Sequence, residues 1–489
     1  MQGGERRSGS GAGVATGAAR GARAASATPE RASARAGVRA LRHPLVWTTA
    51  VAAVSLLAQR TPDFDPTAWL IWGRQIVDGW LSTSGGPSWK PLTVAITTVL
   101  SLAGDDLAPM LWLIIARAAG LLGLVMAYRL AVRLAGRRSA GVIAAGGLAL
   151  APGYLYNAAR GDSEGMLVAL TLMAVSLHLD GRRHAALLAG TAAALLRPEI
   201  WPVLALYGVL LLRRSGSKRT LALLMACAVA VVALWLVPER IGGGDWFRAA
   251  ARAQIPADQL PGDTGYRFFR TLLYAAGGVV WPFFVGAALA FVAARRRAPR
   301  TAADQAVLAM GAGAVAWTVI VALMAEFGFS GNLRYLTVPV AAVCVLGAIG
   351  ARDGLRVLRA VPGRLAPAAV GAFAVIALGV ALVLLALDVD SLAEDGRRYG
   401  RELPQLIERA GGRTALVACG PVGADHFSRQ ALAWQLHLRQ LDVRLGIGAR
   451  VRTVLGLAGT GAATDGRPPI RLRHGEWVLR SYCSLPRRP

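Results

Sequence analysis

The chain has 489 residues, 55% of them hydrophobic, and a mean hydropathy of +0.46, too apolar for a soluble protein of this size. A formal net charge of +26 would ordinarily raise nucleic acid as a partner, but most of the arginines fall in short clusters between apolar runs and read as topology signals. Four cysteines with no CxxC and no metal-like spacing point to neither a zinc site nor a thioredoxin-like motif.

Residues 1–43 are rich in Gly, Ala, Ser and Arg and carry almost no large apolar side chain, so they form no core and read as a disordered, basic, cytoplasmic tail. Pro44 to Ala58 is the first span. After it comes RTPDFDPTAWLIWGRQIVDGWLSTSGGPSWK, in which Asp63 and Asp65 precede a run with Trp69, Trp72, Ile76 and Trp80 at helical spacing. Three Trp on the apolar face of a helix just past a span predict that it lies in the lipid interface, with a flexible Ser/Gly/Pro turn leading back to Lys90. Pro91 to Gly104 is too short to cross and is expected as a second membrane-lying helix.

From Leu107 the apolar runs alternate with Arg clusters. Leu107 to Tyr128, Ser139 to Tyr156, Gly165 to Leu179, His184 to Leu196, Ile200 to Leu212 and Thr220 to Val237 alternate inward and outward. Thr271 to Ala294, Ala302 to Ala325, Leu336 to Gly350 and Leu365 to Leu387 complete about eleven crossings that keep the arginines on the cytoplasmic side. Residues 388–489 change composition: an amphipathic helix around Leu392 to Ala410, a strand at Thr414 to Cys419, a helix around Gln430 to Leu441, and strands near Val443 to Ile447 and Trp477 to Tyr482. The turn Gly420 to Asp425, GPVGAD, is an ordinary strand-to-helix turn in preference to a phosphate loop. Cys227 and Cys344 are packing residues, and Cys419 and Cys483 are candidates for a disulfide if the tail lies outside the cytoplasm. The expected fold class is an all-α polytopic membrane protein with interfacial helices and a small C-terminal extracytoplasmic α/β domain, divided at 1–43, 44–387 and 388–489.

On this topology the unusual polar residues share the outer side: Asp63, Asp65, Lys90, Arg117, Arg160, Asp162, Glu164, Arg197, Glu199, Glu326, Arg334 and Tyr335. Arg117 lies inside an apolar run, where a lone charge is expensive, so a partner carboxylate or a bound anion is expected. Carboxylates and cations gathered at one headgroup plane suit chemistry on a lipid phosphate. Asp63 and Asp65 are alternatively caps of the interfacial helix, and Arg197 with Glu199 a local ion pair across a turn.

The acidic pair after the first span, the Lys90–Pro91 dipeptide, the outer-loop Asp162 and the late Arg334–Tyr335 before a span resemble, in their order, the GT-C superfamily of integral-membrane glycosyltransferases. The aminoarabinose transferases and the protein O-mannosyltransferases are the nearest groups. The resemblance implies a polyprenyl-phosphate-sugar donor, a lipid, glycan or protein acceptor, and no cofactor. It places the catalytic acidic position on Asp65 or Asp63, the second outer-loop Asp on Asp162 with Glu164 nearby, and the donor phosphate near Lys90, Arg334 and Tyr335. The motif departs from the family in that Pro66 follows Asp65 and Leu92 replaces a second proline. From the residues themselves, Asp65 is the first choice for a base that takes the acceptor's proton. Lys90, Arg117 and Arg334 would hold the leaving phosphate, with Arg197 and Glu199 as further substrate contacts. An alternative role for Asp63 and Asp162 is to hold a divalent cation. Competing classes are a secondary transporter or lipid flippase, which would place charges near the midplane, and a non-catalytic envelope scaffold.

Overall fold

A backbone in hydrocarbon has no water to bond, so apolar runs satisfy their N–H and C=O groups inside helices. The computed structural model describes residues 43–255, 266–277, 282–360, 365–446, 451–461 and 468–485, and the basic N-terminal tail and Trp281 fall outside them. The first half comprises α1 (Pro44–Ser55), α2 (Phe64–Val77), α3 (Pro91–Ser101), α4 (Leu107–Ala135), α5 (Arg138–Ala149), α6 (Tyr154–Arg160), α7 (Glu164–Leu179) and α8 (Arg183–Ala194). A 3-10 turn at Pro198–Ile200 leads into α9 (Trp201–Ser215), α10 (Lys218–Gly243), α11 (Arg248–Ala253), α12 (Arg267–Gly277), α13 (Pro282–Arg296) and α14 (Ala302–Glu326). A second 3-10 turn, Leu333–Leu336, opens α15 (Thr337–Ala360), and α16 (Leu365–Arg397) follows.

Five helical runs among the described residues are long and apolar enough to cross a membrane, and two bent pairs bring the number to seven. One of these pairs, α5 with α6, bends by 63° at the Pro152–Gly153 break. The 11 residues of α3 rise about 16 Å, roughly half a hydrocarbon core, so this helix by itself does not span one.

The C-terminal region starts without a break. α16 runs through the expected boundary at 388, then a π-turn (Arg398–Glu402) leads to α17 (Leu403–Arg409) and α18 (Gly412–Ala418). β1 (Val422–Ala424), α19 (Arg429–Leu436), β2 (Val443–Leu445), β3 (Thr453–Leu457), β4 (Ile470–His474) and β5 (Trp477–Ser481) complete it. The sheet order is β2-β1-β3-β5-β4, with β1 parallel to both its neighbours and β5 antiparallel to β3 and β4.

Two sequence expectations fail here. The expected strand at Thr414 to Cys419 is helical, and the strand lies inside GPVGAD instead, because buried Val422 pairs with both Val443 and Thr453. Cys419 and Cys483 form a disulfide with Cα atoms 6.1 Å apart, from the end of α18 and the segment after β5, whereas Cys227 and Cys344 are free and buried.

α2 is the larger correction. Trp69 and Trp72 are fully buried and pack with Trp89 and Trp112, while Ile76 and Trp80 at its C-terminal end remain exposed. The C-terminal domain covers the helix. Ile71 belongs to the same core as Leu406, Leu432 and Trp477, Gln440 donates to the Ala68 carbonyl at 3.3 Å, and Arg74 lies 4.5 Å from the Trp434 ring centroid. The Ser/Gly/Pro turn is likewise pinned, not flexible: Arg248 and Arg252 donate to the Pro87 and Gly86 carbonyls at 3.2 Å, and the Ser82 N–H donates to Gln75 at 3.0 Å.

Helices without a hydrophobic force between them approach closely through small residues. α13 and α15 meet at Gly286, Gly347 and Gly350, where a Cβ on Gly347 would stand 2.6 Å from the Phe283 carbonyl oxygen and one on Gly286 2.4 Å from that of Gly347. Gly347→Leu must push these backbones apart, at about 1–3 kcal/mol or more for overpacking. The expected outcome is a melting temperature in detergent several degrees below wild type, and an unchanged melting temperature would show that the contact does not set stability.

Candidate active site

Each charged group of the site is delivered by a helix end or a break. Asp65 stands in the first turn of α2, and Lys90 is the residue before α3, whose first helical position is Pro91, a proline suited to that place because no N–H is needed there. Gly161, at φ +92°, ends α6 in a conformation that suits glycine, and Asp162, Ser163 and Glu164 follow it into α7. Arg197 and Glu199 flank Pro198 at the 3-10 turn, and Arg334 and Tyr335 lie on the second 3-10 turn, whose Arg334 N–H donates to the Asn332 side chain at 3.2 Å.

Tryptophan indoles tie these loops down. Trp112 donates to the Gly161 carbonyl at 2.9 Å, Trp317 to that of Tyr335 at 2.9 Å, and Trp201 and Trp235 both to that of Ala194. Each ring buries its apolar body in the bundle and spends its one polar group on a loop.

Eight of the ten residues singled out in the sequence converge. Arg334 donates to Asp65 at 2.9 Å and reaches to 3.8 Å from Asp162. Lys90 donates to Ser163 at 2.9 Å, stands 3.7 Å from Glu164 and lies 4.8 Å from the Trp69 ring centroid. Arg197 donates to Glu164 at 2.7 Å and to Glu199 at 3.3 Å, and its guanidinium covers Tyr335 at 3.9 Å. Ser163 was not anticipated. Its only sequence signal was its place between two acidic residues.

Asp63 and Arg117 belong elsewhere. Asp63 pairs with Arg160, which also stands 3.9 Å from Asp395 at the end of α16, and its N–H donates to the Arg160 carbonyl. Arg117 is satisfied by neutral oxygens, those of Ala159, Ser55 and Gln59, instead of the carboxylate or anion expected for it. Its five fixed donors suit several separate carbonyl and hydroxyl acceptors, so it braces the end of α1 against the end of α6. Among the described residues no group of three His, Cys, Asp or Glu side chains is arranged to hold a metal ion.

The converging cluster sets three cations against four carboxylates in a buried enclosure. Lys90, Asp162, Glu164, Arg197 and Glu199 are all buried, and Arg334 is half-buried. Burial, then the neighbouring charges of Glu164 and Asp63, push the Asp162 carboxyl well above the usual carboxylate range, which favours its protonated form. Burial likewise lowers the Lys90 ammonium, against the pull of Glu164. With Asp162 neutral the charges balance. Buried oxygens of Asp162, Glu164 and Glu199 and the Arg197 Nε nevertheless have no hydrogen-bond partner among the described residues, so the cluster retains capacity for a polar ligand. Arg334 also lines a cavity of about 170 Å³ with Asn157, Asn332 and Tyr154.

No family model matches the sequence, and no curated protein matches it. Solved structures do. ArnT from Cupriavidus metallidurans in the apo state superposes with a TM-score of 0.57 at 16% identity, covering 92% of this chain and 98% of that one. The same protein bound to undecaprenyl phosphate gives 0.56 at 17% identity, covering 89% and 97%. At these identities the likeness is one of architecture, and it extends over nearly the whole of both chains: this protein has the fold of ArnT.

Proposed function

We propose that the chain is an integral-membrane glycosyltransferase that moves a sugar from a polyprenyl-phosphate carrier to an extracytoplasmic acceptor. The observation that carries this reading is the convergence of Asp65, Asp162, Glu164, Lys90, Arg197 and Arg334, within a fold shared with a protein seen bound to undecaprenyl phosphate. In the proposed reaction the acceptor hydroxyl oxygen attacks the sugar's anomeric carbon from the face opposite the carrier, with inversion. Its proton passes to Asp65, and the breaking carbon–oxygen bond leaves its electron pair on the carrier phosphate. Lys90, Arg197 and Arg334 take up that charge in a site where water does not screen it. Arg334 would orient the base, since it donates to Asp65 with one nitrogen, while its other terminal nitrogen stands 3.8 Å from Asp162. Tyr335, under the Arg197 guanidinium, would fix its plane.

In this reading the apolar runs make about eleven crossings, with the N-terminus cytoplasmic and the site at the outer ends of the helices. The domain from 388 would then be extracytoplasmic. The Cys419–Cys483 disulfide supports that side, since such bonds persist in oxidising compartments.

Asp65→Asn should leave the protein inserted and folded but reduce transfer from a polyprenyl-phosphate-sugar donor by about a hundredfold or more, the usual range for a lost general base. Undiminished transfer would remove Asp65 from that role. Glu164→Gln, which strips the partner from Lys90 and Arg197, should cost about 3–5 kcal/mol of stability, as for a broken buried ion pair. Asp162→Asn replaces a carboxyl whose neutral form is favoured by burial and should melt at or above the wild-type temperature. The reverse order of melting temperatures would invert the charge assignment. Protein taken from membranes and denatured without reductant should accept two maleimides, on Cys227 and Cys344, and four after reduction. Four without reduction would place the domain in a reducing compartment.

A further inference from the structure

A second cavity, of about 1170 Å³, lies apart from the cluster just described. Thr67 and Leu70 of α2 line it, about 140–200° around that helix from Asp65, so α2 is the wall between the two. Its other walls are the outer end of α1, the start of α4, the end of α16 and α19 of the C-terminal domain.

The walls combine apolar and charged side chains. Leu56, Leu57, Pro109 and Met110 form an apolar lip where α1 ends and α4 begins, and Leu57 is 79% exposed. α16 beside it presents exposed Val380, Val383 and Leu387 just before it enters the cavity at Asp390. The rest of the lining includes charges of both signs, and Arg60, Asp106, Asp390 and Arg401 are exposed. Several of these charges are already committed: Asp105 to Arg74 and His437, Glu394 to Arg398, and Arg397 to Glu402 and Glu476. Two cations, Arg60 and Arg401, and two carboxylates, Asp106 and Asp390, have no charged partner among the described residues.

An apolar lip open toward exposed helix faces selects a molecule whose chains stay in the bilayer. Matched free cations and carboxylates select a headgroup that carries a phosphate and an ammonium together. We propose that this cavity is a binding site for a zwitterionic aminophospholipid, with its phosphate toward Arg60 and Arg401, its ammonium toward Asp106 and Asp390, and its acyl chains leaving past Leu57 and Met110. The site is separate from the transfer chemistry and does not depend on it. The lipid would wedge α16 and α19 against α2, the helix that carries Asp65.

The test uses the full chain in nanodiscs of equal phosphatidylethanolamine and phosphatidylglycerol, exchanged into detergent, with the retained lipid measured by mass spectrometry. The expected result is phosphatidylethanolamine retained about fivefold or more over phosphatidylglycerol, and that excess lost in Met110→Trp, which fills the lip, and in Arg401→Glu. Retention of both lipids in the bulk ratio, retention of phosphatidylglycerol alone, or wild-type retention by both variants would overturn the proposal. Arg401 is exposed, so Arg401→Glu keeps the test decisive if Met110→Trp does not fold. The readout is lipid and not transfer, so its failure would leave the glycosyltransferase reading untouched.

Discussion

Charges removed from water must neutralise one another, and the structure depends on how Glu164 meets that demand. Its Oε1 stands 2.7 Å from Arg197 and 3.7 Å from Lys90, so one buried carboxylate gathers cations from the turn before α9 and the turn before α3 onto the start of α7. Neither cation is stable there alone, because the desolvation of an unpaired buried charge exceeds any packing gain. The same carboxylate therefore fixes the loops that carry the proposed chemistry. Asp162, two residues earlier, faces Arg334 from the other side at 3.8 Å, and burial beside Glu164 favours its protonated form.

A buried cluster of paired charges is preorganised. Ammonium and guanidinium groups already stripped of water and held by carboxylates and aromatic rings need little rearrangement to meet a phosphate, and electrostatic stabilisation is largest where the groups do not have to reorganise. Arg197 on Tyr335 and Lys90 beside Trp69 show how the aromatic residues serve this arrangement, and the indole N–H groups of Trp112 and Trp317 hold the loops beneath it. Arg117, which has no carboxylate partner among the described residues, contributes from outside the cluster by joining α1 to the end of α6.

α2 ties the two halves of the molecule together. One side faces the charged cluster through Asp65, Trp69 and Trp72, another contributes Ile71 to the core of the C-terminal domain, and a third lines the large cavity through Thr67 and Leu70. Gly73 permits this sandwich. A Cβ there would lie 2.6 Å from the Thr97 backbone carbonyl carbon, so α3 could not pack as closely against any other residue.

Hydropathy and arginine spacing were enough to read a polytopic helical protein, because the cost of burying backbone and charge in hydrocarbon acts residue by residue along the chain. The order of Asp65, Lys90–Pro91, Asp162 and Arg334–Tyr335 pointed to the ArnT-like fold, and those residues do meet. Hydropathy does not tell lipid from protein, so α2 reads as an interfacial helix until Ile71, Ala68 and Arg74 are seen against the C-terminal domain. Nor does a sequence show which oxygen an arginine will meet, and Arg117 found carbonyl and hydroxyl groups where a carboxylate was expected. In GPVGAD, pairing with two strands overrode local turn chemistry. Periodicity and charge along the chain determined that there would be long apolar helices with acidic and basic groups at their ends. Which of those groups share one enclosure was decided by tertiary packing alone, because their pairings join residues as far apart as Asp65 and Arg334 and arise only when distant helix ends exclude water together.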